Sequence, residues 1–596
     1  MTTNPTPNPS AATSAEDHGL WDSDETPAGL DADESTSSLV DTNLGPFEVY
    51  DVIGQGAMGV VLSGIHPEQR VSVAIKAITD EAASDRRFRQ QLRDEVQAVA
   101  ALNHPGIVTV LDYGETDAST ERLTDGKVPA GTPYFVMERT RKGTVKDYVG
   151  RVSWRAAKAL LLDILDAIAH AHSTDLIHRD IKPANILLAR WGGRAIPKLA
   201  DFGIAFAMEG GSTMSASVGT PRYMAPEQIE QPWRKHGPWS DLYAIGCVAY
   251  ELLSGHKLFD ADDVDTIYQQ HFREEHPRLE PIVPVPAAFR DWLDKMLALH
   301  PKNRFKTAAE AACELADIED VVPDDNPPIR AASDIARLTP VLDPLLPDER
   351  EETSLGDRDS SHEVSRLPDR WPQPTIKPMT IRMVGAGLDL FGLRSIPLIG
   401  RDEELDQMWK LFKAVDHTGH SRVLTLRGSQ GCGKTRLVEW FTQRLKEFGA
   451  ADVLRATHSA ESGPSDGLSG MLARHFRTLQ ATDEEARKLV RRKMGEAVDN
   501  SPYELETMMQ IVRPTAGDAH SSSVSIASPT QRYAVISRYL DHLADDRPVV
   551  IWCDDVQWGT DAIQFAKFLR EQHADVGPLL VVLAGTEEVL AERPSQ

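Results

Sequence analysis

Cysteine is scarce in this chain of 596 residues. Cys247, Cys313, Cys432 and Cys553 stand far apart and form no CxxC pair, so neither a zinc site nor a disulfide framework is expected. Buried free thiols in a reducing compartment fit them better. Long hydrophobic runs are also missing. No window approaches the ~20 apolar residues of a membrane-spanning helix, and the runs "PVVIWC" and "PLLVVLAG" have the length of strands. The N-terminus lacks the basic and apolar regions of a secretory signal, which predicts a cytoplasmic protein with no membrane partner. Positive charge is in deficit. A formal net charge of −26 excludes non-specific binding to nucleic-acid phosphates by the molecule as a whole. Residues 1–45 contain no Lys or Arg and are rich in Asp, Glu, Ser, Thr and Pro. Such a segment cannot bury enough apolar surface to offset its ordering entropy, so 1–46 is read as a disordered acidic tail.

From Phe47 the texture changes. "FEVYDVIGQGAMGVVLSG" reads as strand, Gly-rich turn, strand, and "RVSVAIKAI" as a further strand. In "DRRFRQQLRDEVQAVAAL", Phe88, Leu92, Val96 and Val99 fall on one helical face. Long helical segments follow, which predicts a two-lobed α+β unit over 47–321. The polar stretch "TDASTERLTDGKVPAGTP" is long for a strand connection and reads as a surface loop. Residues 322–395, rich in Pro, Asp, Arg and Ser, read as a disordered linker with room for short docking pieces. From Ile396 a second domain, 396–596, is predicted. Its fully apolar strands are of the kind buried in parallel α/β sheets.

The first domain carries a chain of polar motifs. "GQGAMGVV" fits G-x-G-x-x-G-x-V, where glycines let a strand–turn–strand lie close over phosphates. Alone it is equally a hairpin turn, but the β-like segment that follows disfavours a dinucleotide fold. Lys76 ends "VAIK" and needs a carboxylate partner, for which Glu95 is the candidate. "HRDIKPAN" supplies Asp180 as a base, Lys182 as a cation and Asn185 as an oxygen ligand, and "DFG" adds Asp201 as a second ligand. "APE" follows at Ala225–Glu227.

In this order the motifs resemble those of the Hanks-type (eukaryotic-like) serine/threonine protein kinases over roughly 47–321. The resemblance implies that Ile53, Gly54, Gln55, Gly56, Ala57, Met58, Gly59 and Val60 cover ATP, while Val61, Ala74 and Leu187 sandwich adenine. It implies a hinge with Met137 as gatekeeper and backbone bonds to adenine from Glu138 to Thr140. Lys76, paired with Glu95, would hold the α/β-phosphates. Asp180 would deprotonate the substrate hydroxyl, with Lys182 beside it, and Asn185 and Asp201 would bind Mg²⁺. Asp241 would brace the catalytic loop, and Glu227 and Arg304 would form a buried ion pair. Lys182 and Thr220 mark the Ser/Thr type. Arg179, before Asp180, suggests activation by phosphate on Ser212, Thr213, Ser215 or Ser217.

The second domain carries "GSQGCGKT", a P-loop with Gly428, Gly431, Gly433, Lys434 and Thr435 between a strand and a helix. Lys434 would reach the β/γ-phosphates and Thr435 would ligate Mg²⁺. Asp554 and Asp555 end the strand "PVVIWCDD", placed for the metal and for the attacking water respectively. These segments resemble the AAA-type ATPase domains of signal-transduction (STAND) regulators, which implies that Gly400 and Arg401 lie near the base. In that family a helical lid and a completing arginine normally follow, and the chain stops at Gln596 without them, so either it is a truncated version of a longer protein or this domain binds without efficient turnover, and slow hydrolysis at best is expected.

The resulting expectation is a bacterial-type Ser/Thr protein kinase joined to a P-loop switch domain. It would use MgATP, with ATP at two sites, act on protein substrates and bind no nucleic acid, with self-association left open. The alternative is a nucleotide-switched scaffold whose kinase mainly autophosphorylates or recruits partners. Sizing with and without ATP, for wild type and Lys434→Ala, separates the two.

Overall fold

The computed structural model describes residues 43–56, 59–79, 85–140, 142–191, 194–202, 221–230, 236–320, 386, 387, 390, 398–461, 463, 465–479, 481–495, 502–513, 528–572 and 577–587. The chain divides into two compact units, with the second built mainly from Ile396 onward.

In the first unit a six-stranded antiparallel sheet has the order β1-β2-β3-β4-β6-β5. The strands are β1 (Asn43–Leu44), β2 (Phe47–Gly56), β3 (Gly59–His66), β4 (Val71–Ala77), β5 (Val110–Glu115) and β6 (Pro133–Glu138). Strand β1 therefore lies inside the segment 1–46 read as a tail. Leu44 is buried in the outer core, and Gly45, at φ 57, turns the chain so that Leu44 pairs with Phe47. A two-residue strand has no periodicity by which composition could reveal it.

Helix α1 (Arg86–Ala101) starts at Asp85, whose carboxylate accepts from the Arg87 amide at 2.8 Å. It buries Phe88, Leu92, Val96 and Val99, the face expected from their spacing. The polar stretch after β5 is folded rather than a bare loop. Asp117 caps α2 (Ala118–Leu123), and Thr116 and Thr132 both donate to the Pro129 carbonyl at 2.7 Å. Val128 then joins the outer face of the sheet.

The larger lobe holds α3 (Trp154–Ser173), the hairpin β7 (Ile186–Trp191) and β8 (Arg194–Leu199), α4 (Pro226–Glu230), α5 (Pro238–Ser254), α6 (Val264–His271), α7 (Ala287–Met296) and α8 (Ala308–Asp317). Every residue of α5 from Ser240 to Ser254 is buried, so it is the central post of the lobe. One continuous apolar core runs from α1 and the sheet through α3 into α5 and α7.

Within 322–395 the structure describes Ala386, Gly387 and Leu390. Ala386 packs on the outer face of the small lobe and Leu390 on its main core. Between them, Gly387 (φ 70) comes so near the Leu111 carbonyl that an added Cβ would stand 2.7 Å from it. Two apolar residues flanking a glycine suffice for this docking and are too few to show in a Pro- and Asp-rich background.

The second unit is a parallel sheet of order β10-β11-β12-β9, with β9 (Arg422–Gly428), β10 (Asp452–Thr457), β11 (Val549–Asp554) and β12 (Leu579–Thr586). Helices α9 (Asp402–Thr418) and α10 (Lys434–Glu447) cover one face. The other carries α11 (Gly467–His475), α12 (Asp483–Met494), α13 (Pro502–Val512), α14 (Pro529–Ala544) and α15 (Thr560–Gln572). Burial on both faces accounts for the unbroken apolar sequences of β11 and β12. Alternation in β11 sends Val550 and Trp552 to the α10 side and Val549, Ile551 and Cys553 to the other. No helix among the described residues is long and apolar enough to cross a membrane.

Candidate functional site

The Gly-rich turn joins β2 to β3, with Gly54 opposite Val61, Gln55 opposite Val60 and Gly56 opposite Gly59. A Cβ on Gly59 would stand 2.0 Å from the Ala77 carbonyl oxygen, so only glycine fits there. Val61, Ala74 and Leu187 lie in the core that faces the cleft, and Ile53 packs against it. The Val60 side chain joins the outer cluster instead, so only its backbone faces the cleft. Ala57 and Met58 lie outside the described residues.

At the hinge, Met137 pairs with Ala74 across β4–β6 and is buried. The Glu138 amide donates to the Thr109 carbonyl at 3.0 Å, which leaves the Glu138 carbonyl as its backbone group for any ligand at the hinge. Its carboxylate binds Lys198 at 2.7 Å, a contact no motif announced. Thr140 is half-buried beyond it.

The catalytic loop is fastened from below. Asp241, near the start of α5, accepts from the amides of His178 and Arg179 at 2.8 and 2.7 Å. Arg179 takes a positive φ of 66, and Gln228 donates to its carbonyl. The His178 ring packs 4.3 Å from that of Phe202, and burial pushes its imidazole down. The Asn185 amide nitrogen donates to both the Asp180 carbonyl and Asp180 Oδ2 at 2.9 Å, and Lys182 Nζ lies 3.4 Å from Oδ2. Asp180 is thereby held in one orientation between an amide and a cation.

Lys76 departs from expectation. Its Nζ pairs with Asp201 Oδ1 at 2.8 Å, and among the described residues it does not pair with Glu95. Burial alone would raise the Asp201 carboxyl, but the Lys76 charge and hydrogen bond, with Lys182 behind, hold it below the usual value. Glu95 is left with an Oε2 that has no hydrogen-bond partner among the described residues. Burial pushes its carboxyl from 4.5 up to about 7, opposed chiefly by the charge of Arg179. The motif order placed Glu95 on the correct helix.

A stability test follows. Between pH 4.5 and about 7 the unfolded chain releases the Glu95 proton while the folded chain retains it, so stability falls as pH rises through this window. Replacing Glu95 with Gln should remove about 3 kcal/mol of that slope and leave the variant the more stable above pH 7, as read by urea unfolding across pH. The same variant should lose phosphotransfer, because a neutral amide cannot balance Lys76. An unchanged pH–stability slope would contradict the buried carboxyl.

The donors suit a hard cation. With its amide nitrogen committed to Asp180, Asn185 keeps its side-chain oxygen available to a cation, and the Ala200 amide, next to Asp201, donates to the Asn185 backbone carbonyl at 2.9 Å. Two oxygen ligands, with substrate phosphates completing the set, is the usual provision for Mg²⁺. Gly203, Ser212, Thr213, Ser215, Ser217 and Thr220 lie outside the described residues. Glu227 and Arg304 meet as expected, with Nη1–Oε1 at 2.8 Å and Nη2–Oε2 at 3.1 Å.

In the second unit the P-loop joins β9 to α10. Gly431 and Gly433 adopt φ of 80 and 90, which glycine alone takes without strain. Lys434 Nζ folds back onto the Gly428 and Ser429 carbonyls at 2.9 and 2.8 Å. Thr435 Oγ1 donates to Asp554 Oδ1 at 3.1 Å, bringing two oxygen donors suited to a hard cation together across 119 positions of sequence. Burial, then the charge of Asp555, pushes the Asp554 carboxyl up. Asp555 sits at φ 53 and accepts from Gln557 at 2.9 Å. Arg401 reaches the Cys432 carbonyl at 3.0 Å, and Gly400, at φ 70, precedes it. Sequence reasoning missed Arg455, whose Nη2 donates to Asp554 Oδ2 at 3.2 Å.

Comparison with known proteins agrees with both geometries. Residues 47–315 match the family model of the protein kinase domain, and residues 397–582 that of the AAA ATPase domain. The chain is 33% identical over 303 residues to the serine/threonine-protein kinase PknB of Mycobacterium leprae, covering 48% of this chain and 45% of that one. It is 34% identical over 281 residues to a probable serine/threonine-protein kinase of Corynebacterium efficiens, covering 45% and 40%. A probable PknB of Bifidobacterium longum is 34% identical over 274 residues, covering 45% and 38%. The chain spans less than half the length of these curated relatives. Its first half is thus similar to bacterial serine/threonine protein kinases and matches the protein kinase domain model, and its second half matches the AAA ATPase domain model.

Proposed function

We propose that the protein is a serine/threonine protein kinase that transfers the γ-phosphoryl group of ATP to Ser and Thr hydroxyls of proteins, itself included, in cytoplasmic signal transduction. The second unit is then a regulatory ATP-binding module. The observation that carries this reading is the setting of Asp180, oriented by Asn185 and Lys182 on a loop pinned by Asp241, across the cleft from Lys76 and Asp201. Asp180 would accept the proton of the attacking hydroxyl, Lys182 would offset charge on the transferring group, and Lys76 would hold the nucleotide phosphates once Glu95 replaces Asp201 as its partner. Asn185 and Asp201 would hold Mg²⁺, which supplies charge neutralisation at the phosphates. In the second unit Lys434 and the P-loop amides would bind phosphate, with Thr435 and Asp554 at the cation.

Incubation with γ-labelled ATP, followed by mass spectrometry, should show phosphoserine or phosphothreonine on the protein, with at least one of Ser212, Thr213, Ser215 and Ser217 modified. A fully active protein with that stretch unmodified would remove Arg179 from the activation scheme. Lys434→Ala should keep autophosphorylation, and its loss there would show that the two sites work as one.

A further inference from the structure

No motif singles out Arg455. Its backbone pairs with Trp552 across the β10–β11 ladder, so its side chain stands on the face of the sheet that carries Asp554 and α10. The guanidinium lies 3.9 Å from the centroid of the Trp552 ring and reaches Asp554 Oδ2 at 3.2 Å, while Thr435 takes Oδ1. Asp554 is thus clamped between the P-loop helix and Arg455. Around this clamp the backbone is fastened too. His458 Nδ1 meets the Asp554 carbonyl at 2.8 Å, and Arg474, from α11, donates to the Arg455 carbonyl at 2.8 Å.

The Arg455 side chain is nevertheless 43% exposed, so the pair is open to solvent on one side and contributes little to stability. The other polar groups of the site are also engaged with one another, Lys434 with loop carbonyls and Thr435 with Asp554. The Lys434 bonds to loop carbonyls are ones that the phosphates of an incoming nucleotide would replace.

We propose that Arg455 reads the terminal phosphate at the second nucleotide site. It sits on Asp554 when that phosphate is absent and moves onto the phosphate when a nucleoside triphosphate binds. The inference rests on the reading of the P-loop as a nucleotide site. A triphosphate brings anionic oxygens to the mouth of the loop, where the planar fork of a guanidinium pairs with phosphate more strongly than with a single carboxylate oxygen. A diphosphate ends one group short and leaves Arg455 on Asp554. The stack on Trp552 keeps the guanidinium within reach in either position. The Arg474 bond ties the same stretch of β10 to α11, so the exchange is felt on the opposite face of the sheet.

The test uses the full chain and equilibrium binding of ADP and of a non-hydrolysable β,γ-imido analogue of ATP. The component lost in Lys434→Ala defines the second site. Arg455→Ala should weaken the triphosphate analogue by ~10-fold and move ADP by less than about twofold, with Arg455→Lys recovering part of the loss. Equal weakening of both nucleotides would make Arg455 only a support for Asp554 and overturn the inference, as would no change in either. If Lys434→Ala removes no binding component, the nucleotide-site reading itself fails, and the inference with it.

Discussion

Asp180→Asn should lower the turnover of phosphotransfer by ~10³-fold, equivalent to about 4 kcal/mol of transition-state stabilisation, while leaving ATP affinity nearly unchanged. The substitution is isosteric, and the loop around it is held by groups that do not depend on the Asp180 charge. Asp241 still accepts from the His178 and Arg179 amides, and Gln228 still holds the Arg179 carbonyl. Asn185 keeps its bond to the backbone carbonyl of residue 180. What disappears is the anion that, on the proposed reading, would accept the hydroxyl proton, and the ion pair with Lys182. On the proposed reading the nucleotide would be gripped elsewhere, by the Gly-rich turn and Lys76, so binding and chemistry should separate. Single-turnover phosphorylation and nucleotide titration of the same preparation check this. Retention of turnover within about tenfold of wild type would mean that Asp180 is not the base.

The motifs that carry chemistry were legible because each is short, contiguous and tied to one local structure. Gly59 must be glycine because the Ala77 carbonyl fills the place of a side chain, and Gly431 and Gly433 because the P-loop takes positive φ. The α/β character of the second unit showed in the unbroken apolar runs of β11 and β12. The missing pieces have in common that no local pattern encodes them. The pairing of Lys76 with Asp201 rather than Glu95 depends on where α1 stands, and both pairings satisfy the same motif. The fold of the insertion after β5 rests on the cap at Asp117 and on hydroxyl bonds around Pro129, which polar composition conceals. Docking by Ala386 and Leu390 rests on two side chains. Arg455 acts through a partner 99 positions away, and only the register of β10 against β11 brings them together.

Arg304→Ala should destabilise the kinase unit by about 4 kcal/mol, the range for removing one partner of a buried ion pair. Both side chains are almost fully buried, at 0% exposure for Arg304 and 3% for Glu227. Arg304 also donates to the carbonyls of Ala298, Leu299 and Trp239, and its guanidinium lies 4.7 Å from the Tyr243 ring centroid. Among the described residues, truncation leaves the Glu227 carboxylate with Ser240 as its remaining side-chain hydrogen-bond partner and strips three partly buried carbonyls of a donor. The cost is therefore an uncompensated anion plus unsatisfied acceptors, more than the loss of one attraction. This separates it from Arg304→Ala/Glu227→Gln, in which the stranded charge is gone. The double variant should unfold at higher urea than the single one. The pair joins α4, whose Gln228 donates to the Arg179 carbonyl, to the segment just before α8, so the single variant should also lose activity at temperatures where it is still folded. Equal urea midpoints for the single and double variants would show that the stranded Glu227 charge is not the source of the loss.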